Sequence, residues 1–299
     1  MGNSPKRVLL TGGSGFIGGN LLASEVTSNW QVFAPGHREL DLLDERAVRE
    51  FIQDKGVQIV IHAACKPGHR NAIDRSDLLS TNTRMFFSLA RNSHLFEKMI
   101  VLGSGAIYDN RYFEPKMGED SYDQHVPVDD HGLSKYVIAK YLEKTDNIFD
   151  LRIFGIYGKN EDYQIRFISN MICKALFELP LTMKQDRYFD YLYVDDLAPI
   201  LMHVVDKGLP WRSMNVTPDK SVRLSEIAQM VLSVLNKPHL PIQIAVAGLG
   251  SEYSGDNSRF RREFPDFQFT ELRTGIQNLA NWYTSRLSTI DRQKLLVDP

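Results

Sequence analysis

Cysteine is scarce in this sequence. The two residues, Cys65 and Cys173, stand far apart in a chain of 299. That argues against a disulfide framework and against a cysteine-based zinc site, and no metal is expected. Long apolar runs are missing too. None approaches the roughly 18 residues of a membrane span. The opening "MGNSPKRVLLTGG" carries no apolar signal segment. The expectation is a cytoplasmic protein with no membrane partner. Neither sign of charge is in excess: 35 Lys and Arg face 37 Asp and Glu, a formal net charge of −2. No broad basic field is available to attract nucleic acid. There is no low-complexity segment, no internal repeat and no Pro/Gly/Ser linker. The closing "DRQKLLVDP" reads as a frayed end.

What the chain has instead is rhythm. "RVLL" (7–10) is a short apolar strand, and a Gly-rich turn follows at once. "FIGGNLLASEV" then has helical spacing. "WQVFAP" (30–35) predicts a second strand, "AVREFIQDKG" a helix, and "VQIVIHAA" (57–64) a buried strand. "LLSTNTRMFFSLARNS" is a helix and "KMIVLGSG" (98–105) another strand. The strands are apolar throughout rather than alternating. That pattern belongs to a parallel sheet covered on both faces, an α/β fold. Beyond residue 150 come the strand and loop "DLRIFGIYG", the helix "YQIRFISNMICKALFEL", and a strand end with its helix in "DYLYVDDLAPILMHVVDKG". The helix "RLSEIAQMVLSVLN", with Ser225 as a candidate cap, and the strand "LPIQIAVAG" follow. With no linker, the second lobe should interleave with the first.

"TGGSGFIG" (11–18) places Gly12, Gly15 and Gly18 between the first strand and the first helix. The first glycine permits the tight turn and the second lets a pyrophosphate approach the backbone. The third allows close helix–strand packing, with the helix N-terminus facing the anion. In that context dinucleotide binding is expected. The end of the second strand speaks to which dinucleotide. A carboxylate there binds the adenosine 2′-hydroxyl, whereas an Arg suits a 2′-phosphate. In "APGHRELDLLD" His37 and Arg38 come first, and Glu39 and Asp41 later. NADP(H) is therefore expected over NAD(H).

At this point the chain resembles the extended short-chain dehydrogenases/reductases, in particular their nucleotide-sugar epimerase/dehydratase/reductase group. The resemblance rests on "TGGSGFIG", "DLLD" (41–44), "IHAA" (61–64), Asn82 in "STNT", "VLGSGAIY" (101–108), "GLSKY" (132–136), "YVDDLA" (193–198), "MNV" (214–216) and "DNSR" (256–259). "ELDLLDERAV" and "VLGSGAIY" look most like the GDP-fucose synthase branch. The resemblance implies a doubly wound Rossmann lobe over residues 1–158, rejoined by 188–213. A smaller nucleotide-sugar lobe is implied over 159–187 and 214–299. Cofactor contacts are implied at Gly12, Gly15, Phe16, Ile17 and Gly18 in the first turn, and at His37, Arg38, Asp41 and Leu42 after the second strand. Further contacts are implied at Ala63, Ala64, Asn82, Lys135 and Phe154. A homodimer is implied through two helices, "TRMFFSLARN" (83–92), with a stripe of Met85, Phe86 and Leu89, and "LSKYVIAKYLEK" (133–144), with Tyr136, Ala139 and Lys140.

The family triad is Ser or Thr, Tyr and Lys. Ser104 and Lys135 match it, but His131 holds the Tyr position. Tyr136 and Lys140 repeat the Tyr-x-x-x-Lys spacing, but "GLSKY" fixes the register. A shift of five residues on a helix turns the pair by roughly 500°, or 140° from the active face. An imidazole can give or take a proton. A Lys135 ammonium nearby should lower its pKa by like-charge repulsion and leave it mostly neutral at pH 7. Two readings stay open: His131 moves the proton, or it is a bystander and another group or water does so.

Other departures remove reactions. Where the family's dehydratases carry an Asp–Glu pair, Gly105 and Ala106 stand. The bifunctional epimerase-reductases put a Cys at the position of Ala106, and their partner His is missing from "KNEDYQIRF" (159–167). Simple hydride chemistry remains. The expected function is NADP(H)-dependent reduction of a keto group, at C4, of a nucleotide-linked sugar. The alternatives are a 4-epimerase with tightly held NAD and a non-catalytic nucleotide-binding subunit. Cys65, Lys66 and His69 follow the third strand and either meet substrate or are loop and filler groups. Arg166, Arg187 and Arg259 are candidates for the diphosphate. Period-two alternation keeps Arg187 on the strand face of Phe189.

Overall fold

The computed structural model describes residues 5–69 and 71–297. Strands and helices alternate at first: β1 (Lys6–Thr11), α1 (Phe16–Leu22), β2 (Trp30–Phe33), α2 (Glu45–Lys55), β3 (Ile59–His62), α3 (Leu78–Ala90), β4 (Lys98–Ser104), α4 (Asp130–Leu142), β5 (Ile148–Ile153) and β6 (Gly155–Tyr157). Then come α5 (Phe167–Leu176), β7 (Leu181–Asp186), β8 (Tyr188–Phe189), β9 (Tyr191–Tyr193), α6 (Leu197–Lys207), β10 (Ser213–Val216), β11 (Val222–Arg223), α7 (Leu224–Val234), β12 (Ile242–Leu249), α8 (Ser258–Glu263) and α9 (Leu272–Thr284).

Six strands make one parallel sheet in the order β10-β5-β4-β3-β1-β2. The order turns back at β1, which puts the C-terminal strand ends on either side of the first turn, where such folds bind ligands. β3 and β5 are buried at every residue, β3 as its apolar run predicts and β5 although it carries Asp150 and Arg152. One face packs against α2, α3 and α4 through Val48, Ile52, Phe86, Leu89, Ile138 and Leu142. The other packs against α6 and α8 through Leu197, Leu201, Val204, Phe260 and Phe264. Each fully buried side chain of this kind contributes about 2 kcal/mol. Capping fixes where α2 starts and stops. Asp44 accepts from the Arg46 and Ala47 N–H groups, and Gly56 closes the helix in the left-handed region at φ 53°. No helix of the described residues is long and apolar enough to cross a membrane.

A second core forms under α5, α7 and α9, around Ile172, Leu181, Ile227, Val231, Ile276 and Leu279. The chain passes back from this core to the large sheet. β10 pairs with β5, so residues 214–216 belong to the large sheet, and Phe260 and Phe264 return beneath it. The hydrogen-bonding needs of β5's open edge draw this strand in.

Three local expectations are corrected, and β12 forms as a strand in an exposed setting. Phe86 and Leu89 are fully buried against the chain's own sheet, so the stripe on α3 does not face outward. Ser225 is not the cap of α7: Arg223 occupies that position, and the Asp186 carboxylate on β7 accepts from the Ser225 N–H at 3.0 Å. β12 forms, but its apolar residues lie in the open, with Ile244, Val246 and Leu249 all exposed. Among the described residues it pairs only with β7. The tail is ordered through residue 297: Asp291 caps a 3-10 turn over Arg292–Leu296, and Leu295 is fully buried. Its last two residues lie outside the described ones.

Arg152 on β5 is 1% exposed and carries the largest of the fully buried side chains. Its Nε donates to Asp150 Oδ2 at 3.0 Å, and its Nη1 to the Tyr108 hydroxyl and the Glu119 carbonyl. Asp150 fits because Gly103 has no side chain; a Cβ there would come within 2.0 Å of Asp150 Oδ1. Asp150→Ala leaves this guanidinium without its counter-charge. The substitution should cost about 3–5 kcal/mol of folding stability in urea unfolding; a change under 1 kcal/mol contradicts that role.

Candidate active site

The C-terminal ends of β1, β3, β4 and β5 open onto a cavity of about 1000 Å³ between the two lobes. The turn after β1 forms its floor. Gly12 has φ +74°, and a Cβ there would lie 2.7 Å from the Ala64 nitrogen. A Cβ on Gly18 would lie 2.2 Å from the Gly12 carbonyl oxygen, so the third glycine seats α1 on the turn. The second, Gly15, is exposed at the start of α1, and Phe16 and Ile17 line the cavity. Thr11 Oγ1 lies 2.9 Å from His62 Nδ1 and 3.3 Å from the Ala64 nitrogen, which ties β1 to the β3 end. Burial pushes the His62 pKa down to about 3, so this ring is neutral.

Ser104, His131 and Lys135 all line this one cavity, as the sequence pattern requires. Ser104 ends β4, where its Oγ accepts from the Ala106 N–H at 3.1 Å. His131 and Lys135 stand one turn apart on α4, which starts there because the Asp129 carboxylate accepts from the Gly132 N–H at 2.9 Å. Lys135 Nζ donates to the Leu102 carbonyl at 3.4 Å. His131 Nδ1 is buried without a hydrogen-bond partner. Burial first, and the Lys135 charge second, push the His131 pKa down to about 4. The sequence argument had the direction and one cause, but burial is the larger one. The decoy pair lies elsewhere: Tyr136 donates to Asp123 at 2.7 Å, and Lys140 pairs with Asp123 and Glu143.

The other expected residues divide. Ala63, Cys65, Phe154, Arg166 and Arg187 line the cavity, with Phe189 on the same strand face as Arg187. Lys66 is committed to Asp74 at 2.5 Å. Asn82 is buried, its amide oxygen 2.7 Å from the Lys66 nitrogen and its Nδ2 3.2 Å from the Lys66 oxygen, so it holds this loop's backbone. Leu42 is a core residue, and Asp41 accepts from the Leu43 N–H at 2.9 Å. Arg259 is held by Asp120 at 2.6 Å and by the Ser213 carbonyl, away from the cavity. His69 also lies off its wall. The loop after β3 crosses to the other lobe, where Asn71 Nδ2 donates to Asp162 at 3.0 Å.

Two residues of the cavity wall were not foreseen. Glu161 is buried, accepts from the Ser169 hydroxyl, and has its pKa pushed up to about 8 by burial. Tyr253, from the loop after β12, reaches the Ser104 side chain. A Cβ on Gly105 would lie 2.7 Å from its hydroxyl oxygen.

The profile of the family described as "NAD dependent epimerase/dehydratase family" matches residues 8–217. The chain belongs to that family. It is an NAD- or NADP-dependent enzyme of the extended short-chain dehydrogenase type. Among curated relatives of this chain, a GDP-L-fucose synthase of Azorhizobium caulinodans is 30% identical over 77% of this chain and 81% of its own. A GDP-L-colitose synthase of Yersinia pseudotuberculosis is 22% identical over 93% and 97%. Among solved structures, a UDP-glucose 4-epimerase of Thermotoga maritima shares the fold at TM-score 0.79 and 17% identity, covering 94% of this chain and 99% of its own. A GDP-mannoheptose C4 reductase of Campylobacter jejuni, with NADP bound, does so at 0.76 and 16%, covering 95% and 100%. The residues of this chain fit such a cofactor. The Gly12–Gly15 turn leaves a cradle that side chains would fill, and the Lys135 side chain lines the same cavity.

The neutral state of His131 can be measured. In a histidine NMR titration, His131 should titrate near pH 4, well below the ordinary value of about 6.5. Lys135→Met should raise that value without restoring 6.5, because burial remains. A titration near 6.5 in the unaltered enzyme overturns the assignment.

Proposed function

We propose that this chain is an NADP(H)-dependent reductase of a keto group, at C4, of a nucleotide-linked sugar, working with a Ser-His-Lys site. The observation that carries the reading is the convergence of Ser104, His131 and Lys135 on one cavity, with Gly105 and Ala106 following the serine in place of an acid pair. Position 105 has no room for one, since a Cβ there would also lie 2.6 Å from Phe154 Cδ1. That speaks against dehydration, which needs a proton moved next to the ketone. The relatives named as GDP-L-fucose and GDP-L-colitose synthases, and the fold shared with a C4 reductase, support the substrate class.

The cofactor supplies hydride to the keto carbon. Lys135 holds the nicotinamide ribose, and Ser104 donates a hydrogen bond to the keto oxygen, which becomes more basic as reduction proceeds. His131, neutral at pH 7, adds a second donor. Arg166 and Arg187 grip the diphosphate from the C-terminal lobe; bidentate guanidinium contacts suit it. At the other end of the site Arg38 is exposed, and the Glu39 carboxylate turns back to accept from the Gly36 N–H at 2.8 Å. The acid that would hold a ribose 2′-hydroxyl is thus engaged, and Arg38 is left for a 2′-phosphate.

The purified enzyme should consume NADPH with a GDP- or dTDP-linked 4-keto sugar. Arg38→Ala should raise the NADPH KM by about tenfold, the worth of one charge-assisted contact, and change the NADH KM little. Equal changes for both cofactors remove Arg38 from the 2′-phosphate site. Release of tightly held NAD, with no net NADPH consumption, replaces the reductase with an epimerase.

We also propose a homodimer built on the outer faces of α3 and α4, where the Phe87 and Tyr141 rings meet edge-on at 5.2 Å. Light scattering at micromolar concentration should give twice the chain mass; a monomer overturns it.

A further inference from the structure

Reduction of a ketone needs a proton as well as a hydride, and His131 is a poor source of it. An imidazole whose pKa lies near 4 is almost wholly unprotonated at pH 7. The cavity wall holds another hydroxyl. Tyr253 lies far from Ser104 in sequence, yet both line this cavity, and a Cβ on Gly105, the residue next to Ser104, would lie 2.7 Å from the Tyr253 hydroxyl oxygen. Tyr253 comes from the loop after β12.

Its placement is fixed by several independent contacts. The Tyr253 N–H donates to the Tyr188 carbonyl at 3.0 Å, and its carbonyl accepts from the Asp190 N–H at 3.1 Å. Its ring lies 4.7 Å from Phe189, 5.0 Å from Phe154 and 5.0 Å from Phe113. The next residues are held as well, with the Gly255 N–H donating to Asp190 Oδ2 at 2.9 Å. Gly105 completes the arrangement, because any side chain there would occupy the space of the Tyr253 hydroxyl.

We propose that Tyr253 is the proton donor of this site, standing in from the other lobe for the hydroxyl that position 131 lacks. This rests on the reductase reading above. As hydride from the reduced nicotinamide reaches the keto carbon, the C=O π bond breaks towards oxygen. That oxygen takes the Ser104 proton, Ser104 takes the Tyr253 proton, and the phenolate is reprotonated by water after turnover. Burial holds the Tyr253 pKa well above the ordinary phenol range; Ser104 lowers it, Tyr108 and Asp190 raise it further, and Arg166 opposes them. A phenol so raised still yields its proton to a forming secondary alkoxide, which is the stronger base.

The test compares Tyr253→Phe with His131→Phe in the full chain. Tyr253→Phe removes one oxygen and no packing. It should melt as the parent does and bind NADPH with unchanged affinity by calorimetry, yet lose about a hundredfold or more in kcat. His131→Phe should lose about tenfold, the worth of one hydrogen bond. The kcat profile of the parent should be flat from about pH 5.5 to 8, because neither group titrates in that window. A profile falling tenfold per pH unit across it, with Tyr253→Phe turning over like the parent, makes His131 the donor and overturns the proposal. Loss of NADPH affinity in Tyr253→Phe equal to its loss of kcat also overturns it, because the role is then structural. A parent that reduces no keto sugar nucleotide removes the reductase reading and this proposal with it. An active parent with an equally active Tyr253→Phe variant removes only the latter.

Discussion

A single buried guanidinium carries the junction between the two lobes. Arg152 cannot lose its proton, so every group around it must answer its charge or its hydrogen-bond donors. Asp150 answers the charge, and Tyr108 and the Glu119 carbonyl take donors. Tyr108 passes the chain on to Asn215 at 2.8 Å, and Asn215 Nδ2 reaches the Met117 and Asp256 carbonyls. Met117 exchanges hydrogen bonds with Ser254 and Asp256. Those residues flank the segment that presents Tyr253. The position of a hydroxyl in the active-site wall thus depends, through a continuous run of hydrogen bonds, on one charge inside the main sheet. A network of this kind is costly when incomplete, and that cost makes the lobe-to-lobe geometry definite.

Much of the large sheet was legible because strands such as β1, β3 and β4 carry apolar runs that serve both faces at once. β5 departs from this, since Asp150 and Arg152 interrupt it. The cofactor turn was legible for a similar reason: Gly12 and Gly18 sit where a Cβ meets backbone, and only glycine fits. The register of Ser104, His131 and Lys135 followed from the strand end and the helix face, and the cavity gathers all three. β7, β8, β10 and β11 were not read from pattern, since β8 and β11 have two residues each and β7 mixes Thr, Lys, Gln and Asp with apolar residues. β12 shows the limit in reverse. Its apolar run reads as a core strand, yet it lies exposed at an edge, because only one neighbour pairs with it.

The residues missed at the site share a cause. Tyr253 and Glu161 reach the cavity through tertiary placement and not through local spacing. Glu161 follows a loop that reads as polar and solvated, and nothing in "KNEDYQ" tells which acid turns inward. For Tyr253 the one available sign was negative: a glycine at 105 where related enzymes place an acid. Read from sequence, that glycine is a lost function. In the folded chain it is a space with an occupant. Arg259 errs the other way, since a basic residue in a family motif is drawn off by Asp120 before it can meet a ligand.

The crowding at Gly105 also bears on how this enzyme can change. Aspartate at 105 is a one-residue route, on paper, towards the acid of a dehydratase. In this fold its first carbon already meets the Phe154 ring and the Tyr253 hydroxyl. The acid becomes tolerable only after both aromatics have been cut back, and cutting them back first opens the wall beside Ser104. Each single step is harmful and the gain comes only with the last. The chemistry of the site is therefore guarded by steric coupling between residues that no local motif joins, and a redesign of this site would have to cross that valley in one move.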